Sequence, residues 1–198
     1  MPQAPDLKRE SILSAALVQF GQYGFRRTSM EDIARETGVS RASLYSYFEN
    51  KEEIFRCVAS GLQERSLADA EGHLKGAEVE HADLTSRVSA ALMARIRPFH
   101  EILAQSAHGA EIQDENNRLC GDLVLESSQR FRKMLATAIG AAARAGEIDL
   151  KPVGLTAPAA AELILLATTG LKQGAADEAT VERRVQSFVD VFVAGLRD

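Results

Sequence analysis

Residues 28–52, TSMEDIARETGVSRASLYSYFENKE, decide the fold of this chain. Ser29, Ser40 and Asn50 each precede a run of helix-forming residues. Their side-chain oxygens can accept hydrogen bonds from the free backbone N–H groups at a helix start. Gly38 stands between the first two runs, where a glycine ends a helix in the left-handed conformation at little cost. The predicted helices cover residues 30–37, residues 41–47 and a segment from residue 51 toward residue 70.

The spacing within this stretch is typical of a helix-turn-helix, in which a second helix lies across the first. Such a pair needs a small residue where its helices touch and a glycine in the turn, and Ala34 and Gly38 supply them. Apolar residues that can hold the pair together stand at matching positions: Ile33, Val39, Leu44 and Phe48. The opposite side of residues 41–47 is then free to enter a groove of DNA.

The rest of the chain also has helical periodicity, and no segment alternates for long with the period of two that marks a strand. We therefore expect an all-α fold. Pro98 interrupts one predicted helix, where we expect a kink or a new helix start. The further predicted helices cover residues 7–23, a segment that starts at Asp83 or Thr85, and residues 117–145, 157–174 and 178–196.

The composition permits a DNA-binding protein but does not predict one. The net charge is −5, yet residues 1–56 hold eight Lys or Arg and eight Asp or Glu, so the acidic excess lies in the remainder. A neutral segment binds phosphate when its cations gather on one face. Cys57 and Cys120 are far apart and the four histidines lack metal-ligand spacing, so we expect no metal and no cofactor, while a redox role of the cysteines stays open. The start of the chain lacks an apolar signal core and no long apolar run follows, so we expect a cytoplasmic protein without membrane spans.

Four segments together resemble the tetracycline-repressor-like (TetR/AcrR) family of bacterial regulators. They are FGQYGF at 20–25, TSMEDIA at 28–34, GVS at 38–40 and LYSYFENKE at 44–52. The family usually has Thr at the position of Ser29, which keeps the capping hydroxyl. The resemblance implies a helix-turn-helix domain over residues 1–50 and a larger helical effector-binding and dimerisation domain over residues 51–198.

The resemblance also implies a function: a homodimeric transcriptional regulator, specifically a repressor that a small-molecule effector releases from a palindromic operator in double-stranded DNA. A DNA-binding activator or a nucleoid-organising protein would share the same residues. An all-α enzyme is a further alternative, but no cluster of acids, bases or nucleophiles stands out to support it.

Eight residues match positions that would meet DNA. Arg41 can bind guanine O6 and N7, and Ala42 can contact a thymine methyl. Ser43 can bind a base or a phosphate, or else cap its own helix. Tyr47 can meet the DNA backbone or be partly buried instead. The full predicted set is Arg27, Ser29, Arg41, Ala42, Ser43, Tyr45, Tyr47 and Lys51, of which Lys51 would bind a phosphate together with the backbone amides of its helix start.

Two further sites follow from the resemblance, and for each the alternative is packing within one subunit. The predicted dimer interface is a four-helix bundle made from the last two helices of each subunit: Leu163, Ile164, Ala167, Leu171, Val185, Phe188, Val189 and Phe192. The predicted effector pocket contains Met93, Ile96, Phe99, His100, Leu103, Leu119, Leu123 and Arg130. His100 beside Arg95 and Arg97 favours an anionic effector, whereas the acidic domain favours a cation, so the charge of the effector stays open.

Overall fold

The computed structural model describes residues 4–76, 82–175 and 177–197. Over these ranges it contains helices and no strand, which confirms the predicted all-α class. The eight helices are α1 (Ala4–Tyr23), α2 (Met30–Thr37), α3 (Arg41–Tyr45), α4 (Lys51–Leu74), α5 (Leu84–Gln105), α6 (Gly109–Arg144), α7 (Ala157–Leu171) and α8 (Glu178–Ala194).

The predicted caps of the short helices are present. Ser29 caps α2, and it shares a reciprocal capping box with Asp32. Gly38 ends α2 with φ +68°, a value that favours glycine. Ser40 accepts a hydrogen bond from the backbone of Ser43, and Asn50 accepts one from that of Glu53 at 2.8 Å. Local side-chain chemistry therefore fixes the starts of α2, α3 and α4.

Two features of the middle of the chain refine the prediction. Helix α5 continues through Pro98 to Gln105, so of the two alternatives at the proline a new helix start is wrong and a kink stays a prediction. Helix α6 begins at Gly109, eight residues before the predicted start, because the polar segment buries Ile112 and exposes its other side. A Cβ atom at Gly109 would lie 2.2 Å from the carbonyl oxygen of Leu103, so only glycine fits the close turn between α5 and α6.

The chain packs as two compact units. The first, unit 1, is Met1–Gln63 with Phe99–Val124, and the second, unit 2, is Glu64–Pro98 with Leu125–Asp198. The predicted division into functional domains at residue 50 stays a prediction.

The core of unit 1 joins α1, the two short helices and the start of α4. The rings of Phe20, Phe25 and Phe55 contact one another with centroids 5.2–5.5 Å apart, in tilted and edge-on arrangements. Ile33 and Leu44 are fully buried against the same core. This packing fixes the helix-turn-helix against α1 and the start of α4.

The core of unit 2 combines parts of α4, α5 and α6 with α7 and α8. Along α8, valines recur every four residues and form a single buried stripe: Val181, Val185, Val189 and Val193. Ile164 of α7 and Leu135 of α6 belong to the same core.

Candidate DNA-binding interface

Helix α3 is amphipathic over only five residues. Leu44 is fully buried, while Arg41, Ala42 and Tyr45 are exposed, with 44% of the Tyr45 surface accessible. Ser43 is half-buried, and its backbone N–H donates to the Ser40 hydroxyl at 3.1 Å, so Ser40 rather than Ser43 provides the cap. The turn thus presents three groups on one surface: the guanidinium of Arg41, which can donate hydrogen bonds, the methyl group of Ala42 and the aromatic ring of Tyr45.

Arg41 is held in place by two neighbours. Its guanidinium pairs with the carboxylate of Glu31 on α2 and lies 5.6 Å from the ring centre of Tyr45. Tyr45 and then Glu31 raise the pKa of the arginine above its ordinary value. Sequence reasoning missed Glu31, because only the crossing of α2 and α3 brings residues ten positions apart into contact.

Lys51 binds the loop between α1 and α2. Its Nζ donates hydrogen bonds to the carbonyl oxygens of Phe25 at 2.9 Å, Thr28 at 3.1 Å and Arg26 at 3.4 Å. The same atom lies 4.5 Å from the ring centre of Phe25. The predicted phosphate contact stays a prediction, and the structure adds a second role, because the ammonium group ties the first turn of α4 to the loop.

The remaining predicted DNA contacts lie around this loop. Arg27 is exposed, and Tyr47 is half-buried against the core of unit 1, in keeping with the alternative of partial burial. The Ser29 hydroxyl donates to the Asp32 carboxylate at 2.6 Å, and this bond lowers the pKa of Asp32. The Ser29 proton is therefore engaged in the capping box.

The loop is also held by the first turns of α6. The backbone N–H of Arg26 donates to Glu111 at 2.7 Å, and its Nε donates to Glu115 at 3.3 Å. A Cβ atom at Gly24 would lie 2.8 Å from the Glu111 carboxylate, so loop and helix are in close contact. We call these bonds of Arg26 to Glu111 and Glu115 the α6 clamp. Sequence reasoning missed it, because partners 85 and 89 residues apart carry no local signal.

Comparisons with known proteins agree with this geometry. The sequence model of "Bacterial regulatory proteins, tetR family" matches residues 12–58, which include the whole helix-turn-helix. The HTH-type transcriptional regulator RutR of Escherichia coli (strain K12) is 45% identical over 56 residues, 28% of this chain and 26% of that protein. The probable acrEF/envCD operon repressor of the same strain is 30% identical over 113 residues, 54% of this chain and 50% of that protein. Residues 12–58 of this chain are therefore similar to the TetR family of bacterial regulatory proteins.

Solved structures of the family share the fold beyond the matched sequence. A putative TetR-family regulator from Mesorhizobium loti MAFF303099 superposes with a TM-score of 0.78 at 20% identity and covers 100% of both chains. SmeT, a repressor from Stenotrophomonas maltophilia, in complex with triclosan gives 0.67 at 20% identity, covering 97% of this chain and 92% of that one. The sequence matches above span only about a quarter to a half of the curated relatives. Their names describe regulators and repressors, which agrees with the prediction of a regulator rather than an enzyme.

The predicted effector-pocket residues are divided between the two units, and the pocket stays a prediction. Phe99 and Leu103 line a cavity in unit 1, and Leu119 and Leu123 pack against the core of that unit, where His100 is also half-buried. The other three belong to unit 2: Met93 and Ile96 are core residues, and Arg130 pairs with Glu64. Among the described residues, no group of three metal-ligating side chains occurs, and no helix is long and apolar enough to cross a membrane.

The predicted dimer residues also divide into two groups. Ile164, Val185 and Val189 are at most 1% exposed within the single chain. A side chain without free surface has none to give to a partner, so these three are core positions and the packing alternative holds for them. The others keep surface: Leu163 is 44% exposed, and Ala167, Leu171, Phe188 and Phe192 are half-buried.

Proposed function

We propose that this protein is a transcriptional regulator that binds operator DNA through α3, and specifically a homodimeric repressor that a small-molecule effector releases from a palindromic operator. The observation that carries the proposal is the exposed surface of Arg41, Ala42 and Tyr45 on a capped helix whose opposite residue, Leu44, is fully buried. The major groove of B-DNA admits a helix of this kind. Such a regulator acts in the cytoplasm, where its operator lies.

The first residues of α3 recognise the DNA sequence. Arg41 exchanges its partner Glu31 for O6 and N7 of a guanine, a contact worth about 1–3 kcal/mol of discrimination. Ala42 offers its methyl group to a thymine, and Ser43 donates to a base or a phosphate. The Arg41–Glu31 pair keeps the guanidinium near its bound position before DNA arrives, and its cost is the loss of that pair on binding.

The DNA backbone is held by residues around the reading helix. Five residues face or flank the α1–α2 loop and α3, where the phosphates on both sides of the groove would pass: Arg27, Ser29, Tyr45, Tyr47 and Lys51. Of these residues only Arg27 and Lys51 carry a positive charge, so few phosphates are neutralised per subunit. We therefore expect the affinity to depend only modestly on salt.

A dimer follows from the limited reach of α3. One short helix specifies too few base pairs to select a site in a genome, whereas two related helices read half-sites spaced by whole helical turns. Along α8, Phe188, Val191 and Phe192 share one face at i, i+3 and i+4, and Val191 is 75% exposed. Leu163 and Leu166 of α7 are exposed apolar residues as well. These two faces are the surfaces from which an intersubunit four-helix bundle is built.

Release requires an effector that favours a form unable to bind DNA. SmeT binds triclosan, and we assign a comparable response to this chain. Effector binding changes the separation of the two reading helices of the dimer, which weakens operator binding.

The test is selection of genomic fragments by the purified protein. We expect enrichment of near-palindromic fragments with two half-sites, and loss of that enrichment in Arg41→Ala. The matched control is Arg132→Ala, since Arg132 is an exposed arginine on α6 outside the DNA surface. Equal retention of all fragments, or enrichment that Arg41→Ala leaves unchanged, would refute reading by α3.

Repression has its own test. A reporter fused to the promoter nearest an enriched fragment is compared in cells with and without the gene. Repression predicts higher expression in its absence, and lower expression would instead identify an activator.

A further inference from the structure

Unit 1 contains a cavity of about 60 Å³ between α1, α4, α5 and α6. Apolar side chains from all four helices form its walls, and none of its lining residues is charged. The polar side chains in the lining are Gln113 and Asn116 of α6. Val58, Ala59 and Leu62 of α4 and Leu103 of α5 are among its apolar walls.

The chemistry of the lining selects an uncharged occupant. Moving a charge into apolar surroundings without a partner costs several kcal/mol, and this lining provides no opposite charge. An engineered apolar cavity of about 150 Å³ accepts benzene. A volume of about 60 Å³ therefore accepts a smaller group, such as a short alkyl chain. The carboxamides of Gln113 and Asn116 can bind a carbonyl or hydroxyl group attached to that chain.

The cavity adjoins the residues that position the DNA-binding loop. Ile112, Gln113 and Asn116 line the cavity on the same turns of α6 from which Glu111 and Glu115 form the α6 clamp on Arg26. Adjacent residues of one helix move together, so an occupant that displaces these turns also moves the clamp. Gly21 is a second link, because it lines the cavity and its carbonyl accepts a hydrogen bond from Ser106 at 2.6 Å.

We propose that this cavity binds a small uncharged molecule bearing a short alkyl chain, and that the bond between Glu111 and the backbone of Arg26 transmits its binding to the loop before α2. Binding itself is independent of the proposed function. The consequence for DNA rests on that function, as the effector response of a regulator.

The binding test uses butan-2-one, whose ethyl chain is short enough for this volume, as the neutral probe and propanoate, with the same ethyl chain, as its charged counterpart. Methyl resonances of Val58, Leu62 and Leu103 should shift on titration with the ketone and not with the carboxylate. Two variants fill the cavity: Ala59→Leu at a buried position and Leu62→Phe at a half-buried one. Each should weaken ketone binding about tenfold, the effect of excluding one to two methylene groups.

Leu125→Phe is the matched control, because Leu125 is 60% exposed and lies outside the cavity. It should bind the ketone as the wild type does. Unshifted methyl resonances in the wild type, equal shifts with propanoate, or undiminished binding in both filling variants would overturn the site. The two filling variants lie at positions of different burial, so the test does not depend on a single variant that fails to fold.

The transmission test follows the backbone amide resonance of Arg26, which donates to Glu111. It should shift on saturation with the ketone in the wild type and in Glu111→Gln, which keeps an acceptor oxygen. It should stay fixed in Glu111→Ala, although that variant still binds the ketone. An Arg26 amide that does not move in the wild type would overturn the transmission. A moving amide with unchanged operator affinity would leave the site intact and count against the proposed repressor release.

Discussion

Replacing Lys51 by methionine separates the structural and DNA-binding roles of this residue. The ammonium group donates to the carbonyl oxygens of Phe25 and Thr28 within 3.1 Å and lies 4.5 Å from the Phe25 ring. Methionine retains most of the apolar stem of lysine and removes the charge together with all three donors. The loop before α2 then loses its tie to α4.

The expected loss in the free energy of unfolding follows from these contacts. A hydrogen bond that involves a charged group contributes about 1.5–3 kcal/mol, and a partly exposed cation–π contact about 0.5–1 kcal/mol. Lys51 is only half-buried, so water replaces part of what is lost at the two carbonyl groups. We therefore expect the free energy of unfolding to fall by about 2–3 kcal/mol, less than the simple sum of the contacts.

The measurement is urea unfolding followed by circular dichroism. Lys75→Met is the matched control, because Lys75 makes an exposed i,i+4 pair with Glu71 and is 68% exposed. That control should change the free energy of unfolding by about 0.5 kcal/mol or less. If Lys51→Met costs no more than the control, the carbonyl contacts do not stabilise the loop. Operator affinity is measured separately, below the unfolding transition, and it should fall equally for all DNA sequences.

Four other outcomes are expected. Arg41→Ala should lose about 1–3 kcal/mol of preference for one base pair in competition binding to operator variants, and unchanged preference would show that α3 is misplaced in the groove. Glu31→Gln should bind DNA more tightly in the same assay, because it frees Arg41 and removes a negative charge; weaker binding would contradict the exchange of partners. Asp83 has its pKa lowered to about 2 by the Ser86 N–H and by Arg197, so its contribution to stability is present above pH 3.8 and disappears as the pH falls toward 2. Asp83→Asn should flatten urea stability over that interval, and an unaltered pH profile would refute the assignment. Val191→Glu should dissociate the dimer in sedimentation velocity, whereas Leu125→Glu should not, and a persisting Val191→Glu dimer would place the interface elsewhere.

The helix-turn-helix was predictable because its determinants are local. Each capping side chain accepts a hydrogen bond from the backbone three residues further on, as Ser29, Ser40 and Asn50 do. Gly38 is required by the positive φ of its own backbone alone. Cap chemistry and glycine conformation require no knowledge of the rest of the fold. The boundaries of α2 and the start of α4 were therefore correct.

The contacts that organise the site around this motif were not predictable. Glu31 with Arg41, Lys51 with three carbonyl oxygens, and Glu111 with Arg26 all depend on how helices cross in space. Charged residues are common at exposed positions, so a sequence does not distinguish the one that finds a partner. The same reason explains the start of α6, where a polar sequence contains one buried apolar residue, Ile112.

The last two helices show why an apolar pattern alone cannot separate a core from an interface. Helix α8 carries two apolar stripes, and both have helical spacing. Val181, Val185, Val189 and Val193 have no more than 1% of their surface exposed, whereas Val191 retains 75% and flanks the half-buried rings of Phe188 and Phe192. The side chains of the first stripe are already buried within the subunit, so a substitution at Val185 changes the stability of the subunit. The second stripe leaves apolar surface in water, and its burial against another copy would contribute roughly 25 cal/mol per Å² to association. A substitution at Val191 is therefore the one that separates assembly from folding.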